Sequence, residues 1–255
     1  MSEQTPLTPC RLMIDPPASG AWNMAVDEVL LEWSAAGGGC CWRFYRWEEA
    51  TLSLGYFQEI DDRRQHQGSR NCPVVRRSSG GGAILHDAEL TYSFVVPGWH
   101  RLAARRRFLY EAVHKTLLLV LTDLGVQAAL CEQPAESKAE KQPFLCFQRR
   151  ASGDVLVGHA KIAGSAQRRA RGAVLQHGSV LLGRSQAAPE LDALKDLSAG
   201  PVACRQLIDA WLEKLGPRLA LTWRQEPLSD DQRQLAAALV ETKYGSANWT
   251  ISRGR

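Results

Sequence analysis

The chain carries seven cysteines in 255 residues but no CxxC pair. Cys10, Cys40, Cys41, Cys72, Cys131, Cys146 and Cys204 have no metal-ligand spacing, and their odd number argues against a disulfide framework. Most are expected to be small core residues in a reducing compartment, with no metal bound. The opening MSEQTPLTPC has no basic stretch followed by an apolar one, so no export signal is read. No apolar run is long enough to span a bilayer. Internal repeats and low-complexity stretches are also missing. The expectation is a cytoplasmic protein with no membrane association. The net charge of +4 is mild, its arginines fall in small scattered clusters, and no nucleic-acid-binding module is present. Nucleic acid is therefore not an expected partner.

What is present suits a globular chain. The hydrophobic fraction is 45%, enough to bury a core at this length. Residues 21–33 repeat apolar positions at helical spacing, with Gly37, Gly38 and Gly39 after them. Residues 41–47, 51–57 and 74–77 read as strands. Residues 83–86 and 90–96 read as a strand pair with a tight connection at Asp87-Ala88. The longest helical pattern covers 102–124, and Gly125 stands where a C-terminal cap belongs. Residues 131–143 are polar and charged, a loop. Strand-like pieces follow at 154–157, 161–163 and 173–182, and the tail over 189–240 reads as helical. Strands, a long helix, more strands and then helices predict an α+β fold with a mixed or antiparallel sheet flanked by helices. One catalytic domain is expected over residues 1–255, with a core at about 20–185 and a helical extension over 186–255.

Two glycine-containing stretches carry chemistry. In RRSSGGGAILHD, Arg76 and Arg77 precede Ser79, Gly80, Gly81 and Gly82, and His86 follows. Three glycines let a ligand approach the backbone and can form a wall of N–H donors. No Lys-Ser/Thr follows them, and they do not form GxGxxG, so neither nucleotide-loop motif applies. The second stretch is AKIAGSAQRR followed by LQHGSVLL. Here Lys161 lies in an apolar context, with Gly164, Ser165 and Ala166 after it. His177 and Gly178 follow on the next segment.

RRSSGGGAILHDAELTYS, then CF, then KIAGSAQRR and LQHGSVLL together resemble the biotin/lipoate protein-ligase superfamily. NMAVDEVLLE and RFYRWEEATLSLGYFQ fit the same pattern. The likeness is closest to the cysteine-dependent octanoyl-[acyl carrier protein]:protein N-octanoyltransferases that resemble lipoate-protein ligases. It implies the ligase catalytic-domain fold. It also implies transfer of an octanoyl group from acyl carrier protein, through a cysteine thioester, to a lysine of a lipoyl domain. Such domains occur on the glycine-cleavage H protein or on E2 subunits of 2-oxoacid dehydrogenases. No cofactor is implied. The alternative branch is an ATP-dependent lipoate- or octanoate-protein ligase, which would use ATP and Mg. Cys146 precedes Lys161 at a spacing like that of the transferases' nucleophile and its lysine. Two departures stand out. Gly82 occupies a place where the transferases usually have arginine, and Gln148 to Gly153 replace the usual Pro-Ser and aromatic before the acidic Asp154.

The resemblance assigns Cys146 as nucleophile and Lys161 as the cation that favours its thiolate. A free thiol has a pKa of about 8.5, so an adjacent ammonium is expected to matter. Arg77, Ser79, Gly80, Gly81, Gly82, His86, Gly164, Ser165, Ala166, His177 and Gly178 are the expected substrate-binding residues. Backbone N–H groups around Gly164 to Ala166 are candidates for the oxyanion site, and His86 or His177 for proton transfer. At about 0.8 kcal/mol per methylene, burying an eight-carbon chain gains roughly 5 kcal/mol before ordering costs. The clusters Arg101 with Arg105 to Arg107, Arg149-Arg150, and Arg168-Arg169 with Arg171 are candidates for meeting an acidic carrier.

Overall fold

The apolar periods fold into two sheets. A computed structural model, describing residues 6–132 and 142–254, places these elements in order: β1 (Thr8–Ile14), α1 (Gly20–Ala35), β2 (Cys40–Tyr45), β3 (Thr51–Leu54), β4 (Val74–Arg76), β5 (Ile84–His86), β6 (Glu89–Val96), α2 (Arg101–Ala104), α3 (Arg106–Asp123), β7 (Ala128–Leu130), β8 (Val155–Val157), β9 (Ala160–Ala170), β10 (Ala173–Leu181), α4 (Leu194–Leu197), α5 (Cys204–Leu219), β11 (Leu221–Gln225), α6 (Asp230–Leu239) and α7 (Ala247–Ser252). Most of the polar loop expected over 131–143 lies outside the described residues. Eight strands form the main sheet in the order β11-β1-β2-β6-β10-β9-β8-β7, and three form a small one, β4-β3-β5. The β1–β2 and β1–β11 pairs are parallel and the rest of the main sheet is antiparallel. The expected α+β class with a mixed, helix-flanked sheet is what forms.

Both faces of the main sheet are covered, which explains why β2 is buried along its whole length. Its alternate residues Cys40, Trp42 and Phe44 enter the core formed with α3 and α5, while Cys41 and Tyr45 enter the core formed with α1. Arg43 points to the α1 side and is buried there, bonded to Asp15 (2.7 Å), Asp27 (3.1 Å) and Asn23. The N-terminus of α1 is capped by Ser19, whose hydroxyl accepts from the Trp22 N–H.

Four expectations change. Residues 83–86 and 90–96 are strands, but they do not pair. β5 joins β3 in the small sheet, and β6 lies between β2 and β10 in the main one. The turn at Asp87-Ala88 thus hands the chain from one sheet to the other. The long helix breaks at Arg105, where φ −111° and ψ 50° leave the helical region. The strand piece at 161–163 continues to Ala170, so Gly164 to Ala166 belong to β9 and lie opposite Ser179 to His177 of β10. Finally, the tail is not wholly helical. β11 follows a left-handed Ala220 (φ 56°) and pairs in parallel with β1, a strand the apolar pattern did not reveal.

Candidate active site

The two sheets meet over a cleft enclosing about 530 Å³ of space, open mouth included. Arg77, Gly80, Gly81, His86, Cys146, Lys161, Gly164, Ser165, Ala166, His177 and Gly178 all line it. Ser79 and Gly82 do not line it but touch residues that do, Ser79 bonding His177 and Gly82 lying against Cys146. The chain brings these distant segments together by backbone bonds. The Ala83 N–H donates to the Phe144 carbonyl (3.1 Å), and the Cys146 N–H donates to the Ala83 carbonyl (2.7 Å). The cysteine loop is thereby stitched to the end of the glycine loop.

Cys146 is partly exposed at the head of a short 3-10 turn, Cys146–Gln148. Its Sγ lies 3.7 Å from Lys161 Nζ, which also approaches the Cys146 carbonyl at 3.4 Å. Lys161 is buried on β9 and pairs with Asp154 Oδ2 at 2.8 Å. Asp154 is held in turn by the Tyr110 hydroxyl (3.2 Å) and the Ala151 N–H (2.7 Å). The aromatic ring of Phe147 stands 5.5 Å from the same ammonium. The cation beside the sulfur is therefore fixed from three sides and shared with a carboxylate.

Gly82 packs against this centre. A Cβ there would come within 3.2 Å of Cys146 Cα and 2.9 Å of Arg149 Cζ. A side chain at this position would have to displace the Arg149 guanidinium and press on the backbone of the cysteine turn.

Arg76 and Arg77 have separate jobs, and neither makes an ion pair among the described residues. Arg76 donates to the carbonyls of Gly55, Gln58 and Thr250, tying the C-terminal segment to the small sheet. Arg77 donates to Ser53 O (2.9 Å), Gly80 O (2.8 Å) and Gly82 O (2.7 Å), so it clamps the glycine loop from within. Burial pushes its guanidinium down to about 10, opposed by the nearby Cys146 sulfur.

Both cleft histidines are engaged. His177 Nε2 meets Ser79 Oγ at 2.5 Å, and its Nδ1 meets Asp27 Oδ2 at 3.2 Å. Burial acts to raise the Asp27 carboxyl, but the His177 hydrogen bond and the Arg43 guanidinium outweigh it and hold the group below its ordinary value. His86 bonds Glu89 through Nδ1 and stacks on Trp47, with ring centres 3.8 Å apart. Burial lowers its pKa, with the Glu89 charge opposing. A third histidine escaped the sequence reading. His114 on α3 bonds the Ser165 hydroxyl through Nε2 and the Gly153 carbonyl through Nδ1 (2.6 Å), and burial holds it down to about 4. Met24, Tyr45 and Thr91 also line the cleft, and Asp27 stands behind His177. All four lie inside strings that carry the family resemblance, but none was singled out as a site residue.

Of the arginine clusters, Arg149 lies nearest Cys146, and Arg168 bonds the start of the glycine loop. Arg149 lies against Gly82 and bonds the Pro143 carbonyl, and Arg168 donates to Ser78 O (2.9 Å). Arg101, Arg107 and Arg171 bond elsewhere, to Leu219 O, Glu111 and Glu32.

This geometry is that of a positioned thiol with a buried cation at the entrance of a mostly apolar slot. Known proteins fit it. The family described as lipoyl protein ligase A/B catalytic domain matches residues 19–200. The octanoyltransferase LipM of Brevibacillus brevis is 31% identical over 95% of this chain and 99% of its own. The octanoyltransferase LipM of Bacillus subtilis is 34% identical over 92% of this chain and 95% of its own. A T. acidophilum protein solved with bound lipoic acid superposes with a TM-score of 0.77 at 21% identity, covering 96% of this chain and all of that one (100%). At that identity the superposition speaks for the fold alone.

Proposed function

The chain belongs to the lipoyl protein ligase A/B catalytic-domain family and is an octanoyltransferase of protein lipoylation; from that premise we propose that it works through an octanoyl thioester on Cys146. Its acceptors are proteins such as lipoyl domains, and the donor in this reading is an octanoyl thioester on acyl carrier protein. The observation that carries the proposal is the 3.7 Å approach of Lys161 Nζ to Cys146 Sγ at the head of the cleft.

The reaction divides into two transfers. In the first, the Cys146 thiolate attacks the carrier's thioester carbonyl. The carbon–sulfur bond to the carrier breaks, and the carrier thiolate leaves with a proton from Lys161. In the second, a neutral lysine amine of the acceptor attacks the Cys146 thioester. The amine's proton passes to the now neutral Lys161 as the amide forms, and Cys146 departs as thiolate beside the restored ammonium. Asp154 keeps Lys161 aimed at the sulfur through both transfers. The Cys146 N–H is committed to Ala83 O, so it is not the oxyanion donor. Arg149 supplies positive charge beside Cys146, suited to an acidic carrier. The route consumes no nucleotide and uses no cofactor.

The test is transfer to a purified lipoyl domain. Octanoyl-loaded carrier without ATP is expected to yield the octanoyl-lysine amide, and Cys146→Ser is expected to yield none. Amide formed only from free octanoate with ATP, at equal rates in both proteins, would replace this reading with an acyl-adenylate ligase.

A further inference from the structure

We infer that Met24 forms the floor of the acyl cleft and sets the length of chain it accepts, an inference that rests on the acyl-transfer reading above. The cleft has a direction. At its mouth Gly81 is exposed and Ile84 and Cys146 are partly so. At its inner end Met24, Tyr45 and Thr91 are 4%, 1% and 3% exposed. The strands agree with this direction. Lys161 and Gly164 mark the Cys146 end of β9, whereas Ala166 lies opposite His177, which bonds Asp27 of α1 at 3.2 Å. Met24 precedes Asp27 by three positions and so shares its face of the helix. A chain joined to Cys146 by its carbonyl therefore runs inward toward Met24.

The other floor groups are tied in place. The Tyr45 hydroxyl donates to Asp27 (3.0 Å), and Thr91 Oγ1 accepts from Trp47 Nε1 (3.0 Å) and donates to Glu89 (2.6 Å). Resizing either one would break a buried hydrogen bond. The Met24 side chain is an unbranched thioether with no polar tie, so its bulk can change without that penalty.

The experiment offers the protein equal amounts of hexanoyl-, octanoyl- and decanoyl-loaded acyl carrier protein and reads the three adducts on Cys146 by intact mass. Ratios come from one sample, so a reduced folded fraction cancels. Burial of one methylene is worth about fourfold in affinity. Met24→Ala frees room for about two methylenes, so its decanoyl-to-octanoyl ratio is expected to rise on the order of tenfold over wild type. Met24→Phe, which fills the floor, is expected to raise the hexanoyl-to-octanoyl ratio. Ratios within twofold of wild type in both variants, with wild-type adduct present, would overturn this inference alone. A wild type that forms no adduct would overturn the thioester reading and this inference with it.

Discussion

Consider the pair Lys161–Asp154, whose side chains are 5% and 2% exposed. Asp154→Asn removes the carboxylate and leaves a buried ammonium facing only a thiol, a carbonyl and the Phe147 ring. Breaking a buried pair from one side costs roughly 3–5 kcal/mol. In a chain of this size that is a fall in Tm of roughly 6–20 °C. Lys161→Met leaves the carboxylate with its bonds from Tyr110 and Ala151, so its cost is expected near the lower end of that range. The double variant Lys161→Met/Asp154→Asn carries no buried charge and is expected to recover all but about 1–2 kcal/mol. Activity behaves differently. Without Lys161, the ammonium beside the sulfur and the proton donor to the leaving thiolate are both gone, so acylation of Cys146 is expected to fall about a hundredfold or more in the two variants that lack it, and by less in Asp154→Asn, which keeps the cation. Urea unfolding and single-turnover acylation, run on the four proteins, separate the two effects. If Asp154→Asn melts like wild type, or if the double variant regains acylation together with stability, the reasoning about this pair is wrong.

Three further expectations follow from the same packing. Gly82→Ala pushes a Cβ to 3.2 Å from Cys146 Cα; acylation is expected to drop about tenfold while stability changes by less than about 1 kcal/mol, read by the same two assays. Gly178→Ala would set its Cβ 2.5 Å from the Gly164 carbonyl oxygen, forcing β10 off β9, and should cost about 3 kcal/mol in urea unfolding. His114 is held at about 4 against an ordinary 6.5, so the unfolded chain binds the extra proton between those values. Stability should therefore rise with pH across that window. The difference between wild type and His114→Gln is expected to shrink by about 3 kcal/mol as the pH falls from 6.5 to 4, and a pH-independent difference would contradict the assignment.

The residues that line the cleft were readable because they sit in short, unusual strings. Three glycines between arginines and a histidine, or a lysine before Gly-Ser-Ala, stand out from any core pattern. Their partners did not stand out. Asp27 lies inside an amphipathic helix, where a carboxylate looks like solvent-facing charge; only the β2–α1–β10 packing reveals Arg43 and His177 beside it. Tyr45 and Met24 look like core because they are core. On the fold, β1 and β11, like β7, were missed because none shows a clean alternating pattern. The identity of β1 and β11 as strands comes from pairing across more than two hundred residues, Thr8 with Leu221. The β5–β6 turn was misread for a related reason. Two adjacent strands with a two-residue link look like a hairpin, and nothing local records that they enter different sheets. The strand expected at 161–163 stopped before the small residues that follow, although β10 supplies them a continuous partner.

The central claim is a covalent one, and peptide-mapped mass spectrometry reads it without an acceptor present. Protein mixed with octanoyl-loaded carrier and quenched in acid is expected to carry one octanoyl group, labile to hydroxylamine, on the peptide containing Cys146. An octanoyl group on another residue, or none on a protein that still modifies lipoyl domains, would contradict the account.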